Sequence, residues 1–314
     1  MPDKSLRISR ASTSARRRPM MLGVAGDNAA GKTTLTAGLV EALGARRCLS
    51  FSADDYHRFD RAERRGMKLT PSHPDCNYID IFEQHLQLLA TGQPVLKPVY
   101  DHSIGELTRP ERVEPRDFVI VHGLLPLHSR LARACFDVTV FVDPAEDLRR
   151  TWRMRRDTTT RGYSTDQLTA EMAAADTEST QFVQPQRAHA DIVVRFASIA
   201  ERDDPPDTPP SAELLLRPTI RHPDLTDVLQ SEITPTIHLR LVRDDDGIPV
   251  DSVHIHGYTS AEENAAAEKL IWEALGDPRT AIPESLGVLG PGQHSTPLAI
   301  TQMILFHHLT QGTH

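Results

Sequence analysis

Short apolar runs alternate with amphipathic stretches over the first two-thirds of the chain. The runs at 20–25, 47–52, 117–121, 137–142 and 191–196 are close to continuously hydrophobic, as in Phe118-Val119-Ile120-Val121. Such runs predict strands covered on both faces, as in a parallel sheet. Helical spacing between them predicts helices over 32–43, 78–89, 128–134, 144–156 and 165–181. In the first of these, Leu35, Leu39 and Leu43 recur every four residues on one face. The alternation predicts βαβ units: an α/β fold with a doubly wound, mostly parallel sheet and helices on both faces.

The pattern changes at Asp203-Asp204-Pro205-Pro206-Asp207-Thr208-Pro209-Pro210. A Pro/Asp-rich linker or exposed loop is expected over 201–212. Beyond it, strands are expected over 214–220, 236–242 and 252–256, with a turn at 244–247 and helices over 261–275 and 297–309. Ile237, Leu239 and Leu241 alternate with His238 and Arg240, which predicts one buried and one wet face. Residues 1–18 are aperiodic and Ser/Arg-rich, a disordered basic tail. The expected organisation is therefore tail 1–18, core 19–200, linker 201–212, and an α+β extension over 213–314 packed on the core. Pro- and charge-rich residues 94–115 carry short extended pieces at 95–100 and 105–108, suited to a hairpin or loop beside a site.

Composition adds limits. Of 314 residues, 39% are hydrophobic and 25% charged, an ordinary balance for a soluble globular protein. No apolar run approaches a membrane span. Asp27 interrupts the first one too early for a secretory signal after Arg16-Arg17-Arg18. Cys48, Cys76 and Cys135 form no C-x-x-C pair, so no disulfide or metal framework is expected, and a reduced, cytoplasmic setting is. Net charge is −8, and the basic tail makes the remaining body more acidic still. That argues against a general nucleic-acid surface.

The chemistry begins at Gly26-Asp27-Asn28-Ala29-Ala30-Gly31-Lys32-Thr33, which fits G-x-x-x-x-G-K-[ST] at every fixed position. A predicted strand precedes it and a predicted helix follows. Small residues let backbone N–H groups turn inward around phosphate oxygens, and the helix N-terminus adds its positive dipole. Lys32 can reach the β and γ phosphates, and the Thr33 hydroxyl suits Mg²⁺. Gly26 to Thr34 are therefore the ATP-binding residues: Gly26, Asp27, Asn28, Ala29, Ala30, Gly31, Lys32, Thr33 and Thr34. A glycine-rich turn that merely joins strand to helix is the weaker alternative. The second stretch is Asp54-Asp55-Tyr56-His57-Arg58-Phe59-Asp60-Arg61, at the C-terminal end of the second strand, the ligand-binding edge of an open parallel sheet. A carboxylate there can accept a proton from an attacking hydroxyl. His57 and Arg61 suit a second anionic group. On spacing alone, the stretch also fits a charged solvated loop.

Together these stretches resemble phosphoribulokinases, within the family that also contains uridine kinase. Further segments agree in order. These are Pro74-Asp75-Cys76-Asn77-Tyr78-Ile79-Asp80, Lys97-Pro98-Val99-Tyr100-Asp101-His102, the lid-like Arg156-Asp157-Thr158-Thr159-Thr160-Arg161-Gly162, and Pro185 to Asp191 before the fifth strand. The resemblance covers about 20–196. It implies a P-loop kinase that uses ATP and Mg²⁺ to phosphorylate a small-molecule sugar phosphate, D-ribulose 5-phosphate, as in the Calvin cycle. It implies Asp54 as the base, with Lys32 and Asp157 in the catalytic set. His57, Arg61 and Tyr100 would hold the acceptor, and Arg156 and Arg161 would close over the phosphates. Thr33 and Asp54 or Asp55 would serve the metal. Arg149, Arg150, Arg153 and Arg155 fit a solvated helix face. No nucleic-acid or membrane partner is expected, and a homodimer or higher homo-oligomer is.

Two departures from the family stand out. His122-Gly123-Leu124-Leu125-Pro126 stands where the family usually has Glu-Gly-Leu-His-Pro, and neutral imidazole is a poor Mg²⁺ ligand. Ala30 and Ser52 replace the paired cysteines of plant-type members, so a thiol switch there is ruled out. Two rival readings remain: a uridine-kinase-like enzyme, and a non-catalytic nucleotide-binding regulator, which His122 would suit. His238, His254 and His256 could share a wet face, with solvation favoured over a metal site. His307-His308 lies in an apolar helix, and Trp152 and Trp272 read as packing residues rather than nucleotide stackers.

Overall fold

Eight strands form one sheet in the computed structural model, which describes residues 18–160, 164–198, 208–225, 236–276 and 281–311. In chain order they are β1 (Met20–Gly26), β2 (Cys48–Ser52), β3 (Phe118–Gly123), β4 (Val138–Val142), β5 (Ile192–Ala197), β6 (Ser211–Leu216), β7 (Ile237–Arg243) and β8 (Pro249–Ile255). Their spatial order is β2-β3-β1-β4-β5-β6-β8-β7. The first five are parallel to one another. The last three are added antiparallel. The expected α/β sheet and its α+β extension are thus one continuous sheet. The expected 201–212 loop overlaps β6 at Ser211 and Ala212, and its residues 201–207 lie outside the described ones.

The principal helices are α1 (Lys32–Leu43), α2 (Ile79–Ala90), α3 (Glu146–Thr160), α4 (Thr165–Glu178), α5 (Ala261–Leu275) and α6 (Thr296–Gln311). Strand periodicity divides the core in two. Leu22, Val24, Ile120, Val140 and Val194 meet Leu35, Leu39, Ile271, Ile300 and Ile304 on one side. Met21, Val119, Val121, Phe141 and Val193 meet Phe82, Leu86, Leu127 and Val183 on the other. Both faces are covered, which is why the inner strands are apolar throughout.

Some boundaries move for physical reasons. The strand expected at 214–220 ends at Leu216, because Arg217 turns inward to Asp244 and Asp246 and Pro218 has no N–H for the ladder. The helix expected to run to 181 gives way at Ser179 to a π-turn, Ser179–Val183. The alternation expected of β7 fades along the strand. Ile237 is buried but Leu241 is 77% exposed, because β7 is the edge strand.

The C-terminal extension grips the helix behind the P-loop. The Gln302 amide on α6 donates to Leu35 O at 2.9 Å and accepts from Gly287 N at 2.7 Å. Ser285 Oγ donates to Gly38 O at 3.0 Å. A Cβ at Gly38 would collide with the Gln302 amide, so glycine permits the approach. Among the described residues, no helix is long and apolar enough to cross a membrane. The three cysteines are buried and free.

Candidate active site

β1 delivers the chain to Gly26, where φ is 149° and a Cβ would stand 2.5 Å from Val142 O. Ala29 (φ 60°) and Gly31 (φ 93°) complete a loop with left-handed backbone, the geometry that turns N–H groups inward. Asp27 and Ala30 are buried, while Asn28, Ala29 and Gly31 are partly open. α1 then starts at Lys32. The Lys32 ammonium is buried and donates to Gly26 O and Asp27 O, both at 2.7 Å. Burial lowers its pKa to about 8, opposed chiefly by the charges of Asp54 and Asp27. Thr33 is exposed on the first turn of α1 and Thr34 half-buried.

Asp54 lies across from Lys32 on the one-turn helix that follows β2. Ser52 caps that turn, its hydroxyl accepting from Asp54 N at 3.1 Å. Asp54 Oδ1 accepts from Leu124 N at 2.9 Å, while Oδ2 takes no hydrogen bond from any described residue. A Cβ at Gly123 would fall 2.9 Å from Asp54 Oδ1. Burial would raise the Asp54 pKa, but His57, Lys32, His102 and the Leu124 N–H outweigh it and hold the carboxyl below its usual range. Asp54 is therefore ionised at neutral pH. Asp55 points elsewhere. Its Oδ2 meets Lys97 Nζ at 2.6 Å and its Oδ1 accepts from Tyr100 N at 3.2 Å, tying the site to the ribbon around residues 95–101.

Beyond Asp54 stands a wall rich in basic and aromatic groups. His57 is buried, with Nδ1 2.7 Å from Asn77 Oδ1 and its ring edge-on to Tyr100 at 5.0 Å. Burial pushes its pKa down, against the pull of Asp54. Tyr100 donates to Gly105 O at 3.0 Å. Arg61 donates to His102 O at 2.6 Å, and Arg64 donates to Tyr100 Oη at 3.0 Å while stacking over its ring. Arg64, Asn77 and His102 were not among the expected site residues. Asn77 and His102 lie inside segments that carried the family resemblance. Arg64 is one helical turn beyond Arg61, the only local signal for it.

The α3 arginines supply the remaining charge. Arg150 and Arg155 are exposed, as a solvated face requires. Arg149 and Arg153 are not: both are 6% exposed, which corrects the expectation for them. Arg149 is drawn in by Glu146 and Asp176. Asp157 is buried between Arg156, at 2.7 Å, and Arg153, at 3.6 Å. Arg156 and Arg149 both act to lower the Lys32 pKa, so their charges lie near that lysine. Arg161 lies outside the described residues. Trp152 packs edge-on to Phe196 at 6.4 Å and flanks Gly31, and Trp272 packs on Phe306 at 5.5 Å.

The model of the phosphoribulokinase / uridine kinase family matches residues 21–201. The chain belongs to this family. Its fold and nucleotide loop are those of this family of P-loop kinases. The chain is 33% identical over 178 residues to the phosphoribulokinase of Synechocystis sp., covering 57% of this chain and 54% of that one. It is also 33% identical over 181 residues to a uridine kinase of Chloroflexus aurantiacus, covering 56% of this chain and 86% of that one. The chain thus spans about half the length of the curated phosphoribulokinases it matches. Among solved structures, phosphoribulokinase from Rhodobacter spheroides shares the fold, with TM-score 0.59 and 17% identity over 81% of this chain and 94% of that chain.

The residues of this family member fit a nucleotide. The loop would clash if Gly26 carried a side chain, and an uncapped helix N-terminus faces the cradle. They also fit one Mg²⁺ held largely by the nucleotide, with Thr33 Oγ1 exposed and Asp54 Oδ2 open. His122 pairs with Ser52 in the sheet, close enough to Asp54 to feel its charge, and burial lowers its pKa so that it is neutral near pH 7. The rings of His254 and His256 lie 4.6 Å apart, but no group of three ligating side chains among the described residues could hold a metal.

Proposed function

We propose that this kinase transfers the γ-phosphoryl group of ATP to D-ribulose 5-phosphate, giving ADP and ribulose 1,5-bisphosphate. The observation that carries the proposal is the position of Asp54. Its charge is coupled to Lys32 on the nucleotide side and to His57 and His102 on the other. An anionic acceptor fits the Arg61 and Arg64 guanidiniums, one turn apart on that second side, beside the buried His57 ring. The Asp54 carboxylate, ionised and with one oxygen open, takes the proton of the attacking hydroxyl. Lys32 leaves its two carbonyl partners for the phosphates as these enter. Arg156, steadied by Asp157, and Arg149 neutralise charge that develops on the transferred group. Mg²⁺, when bound, would supply positive charge against that of the phosphates. We place Thr33 and Asp54 beside it, and assign Asp55 to holding Lys97.

A uridine-kinase-like activity is the second reading, favoured by the fuller coverage of that relative. An ATP-coupled assay with ribulose 5-phosphate, uridine and pantothenate separates them. Turnover of ribulose 5-phosphate alone supports the proposal, and turnover of uridine alone refutes the substrate. ATP binding without transfer to any of the three would favour a regulator.

A further inference from the structure

Asp27 is a buried carboxylate inside the nucleotide loop that the transfer chemistry leaves unused. It is 6% exposed. Ser179 Oγ donates to its Oδ1 and Gln184 Nε2 to its Oδ2, both at 2.6 Å. These partners lie 152 and 157 residues away in sequence. Both belong to the segment that leaves α4: Ser179 opens the π-turn and Gln184 follows it. π-Turns of this kind are rare and recur at functional sites.

The same segment holds the other walls of the site. Glu178 Oε2 accepts from Thr70 N at 2.9 Å and Thr70 Oγ1 at 2.5 Å, on the loop that leads to Asn77 and His57. Gln186 donates to Leu124 O at 2.7 Å and accepts from Leu127 N at 2.8 Å. Leu124 in turn gives its N–H to Asp54. One run of nine residues therefore touches the nucleotide loop, the acceptor loop and, through Leu124, the base. It is also the root of the paired helices α3 and α4, which Arg149 and Arg150 join through Asp176.

We propose that Asp27 is a positioning residue, whose carboxylate clips the nucleotide loop to the π-turn and so holds Arg149 and Arg156 in register with the phosphates. The proposal rests on the kinase reading of the P-loop and not on the identity of the acceptor. Packing alone would need no paired acceptor at this point. The clip instead fixes the backbone whose carbonyls, Gly26 O and Asp27 O, receive Lys32. Small misplacements of such groups cost rate out of proportion to their size.

The test uses substitutions remote from the phosphates. Ser179→Ala and Gln184→Met each remove one donor while keeping bulk. Equilibrium titration with a non-hydrolysable ATP analogue should show affinity falling about threefold in each and about tenfold in the pair. The KM for the acceptor should change little, and the fall in thermal midpoint from leaving the Asp27 carboxylate without donors should vanish once Asp27 is replaced by Ala. In an Asp27→Ala background the same two substitutions should add no further loss, because the clip is already open. Unchanged nucleotide affinity in the Ser179→Ala/Gln184→Met protein would overturn the proposal. So would an equal loss with or without Asp27, which would mark a general packing role. The titration needs no acceptor, so a wrong substrate leaves the test intact. A parent chain that bound no nucleotide would overturn the kinase reading and the clip together.

Discussion

Replacing Asp54 by Asn separates charge from shape at the centre of the site. The Oδ1 acceptor that takes the Leu124 N–H at 2.9 Å survives in the amide, and the Ser52 cap acts on the backbone. The fold should therefore persist, with a thermal midpoint within a few degrees of the parent. Two functions are lost. The first is the base, worth about 10²–10⁴ in rate, or roughly 3–5 kcal/mol of barrier. The second acts through Lys32. With a pKa of about 8, that ammonium is about nine-tenths charged at pH 7. Asp54 is the foremost charge holding the value up, so its loss moves Lys32 further down and uncovers part of the lysine at neutral pH. ATP affinity should fall by a few-fold at pH 7.5 and recover near pH 6. In the parent, kcat/KM for ATP should decline above pH 8 for the same reason. The assay is coupled turnover with ribulose 5-phosphate beside a nucleotide titration at both pH values. An Asp54→Asn protein keeping more than about a tenth of parental kcat would refute Asp54 as the base. Equal ATP affinity at both pH values would refute the coupling to Lys32.

Other outcomes follow from the same geometry. Lys97→Met leaves the Asp55 carboxylate uncompensated beside the site, and should cost about 3 kcal/mol in urea denaturation, with Asp55→Asn restoring part of it; an additive double variant would contradict the pairing. His122→Glu should shift the Mg²⁺ titration of activity to lower concentration, since a carboxylate replaces a neutral ring beside Asp54; an unchanged curve would remove His122 from the metal's surroundings. His222 Nδ1 and His308 Nε2 lie 3.2 Å apart, with His222 Nε2 2.6 Å from Arg217 O, so both rings are neutral in the folded chain. Burial lowers the His308 pKa to about 3, and His222 is lowered too. The unfolded rings take protons below about pH 6.5, so stability present above that pH is lost as pH falls, by about 1.4 kcal/mol per unit for His308. His308→Leu should flatten that dependence between pH 6.5 and 4.5, and a slope unchanged from the parent would contradict it.

The parallel half of the fold was legible because each inner strand is apolar on both faces, and because the P-loop announces itself by spacing. Strand order was not, since nothing local says that β3 settles between β1 and β2. Asp54, His57 and Tyr100 were legible from short stretches, and the structure brings them together. Arg149 and Arg153 were misjudged because a charged side chain on a polar helix looks solvated until its acidic partners are known. Asp176 and Asp157 draw them inward. Asp27 was taken only as part of the cradle, and its contact with Ser179 spans 152 positions that no local pattern connects.

The bond from Gln302 to Leu35 also sets a schedule for synthesis. The family match stops at residue 201, yet α1 is backed by a helix about a hundred residues further on. A ribosome needs roughly 5–20 s to add that length. Through that interval a nascent chain holding every nucleotide-loop residue still lacks the Gln302 and Ser285 bonds that back α1. A clone cut at residue 201 would stay in that condition permanently.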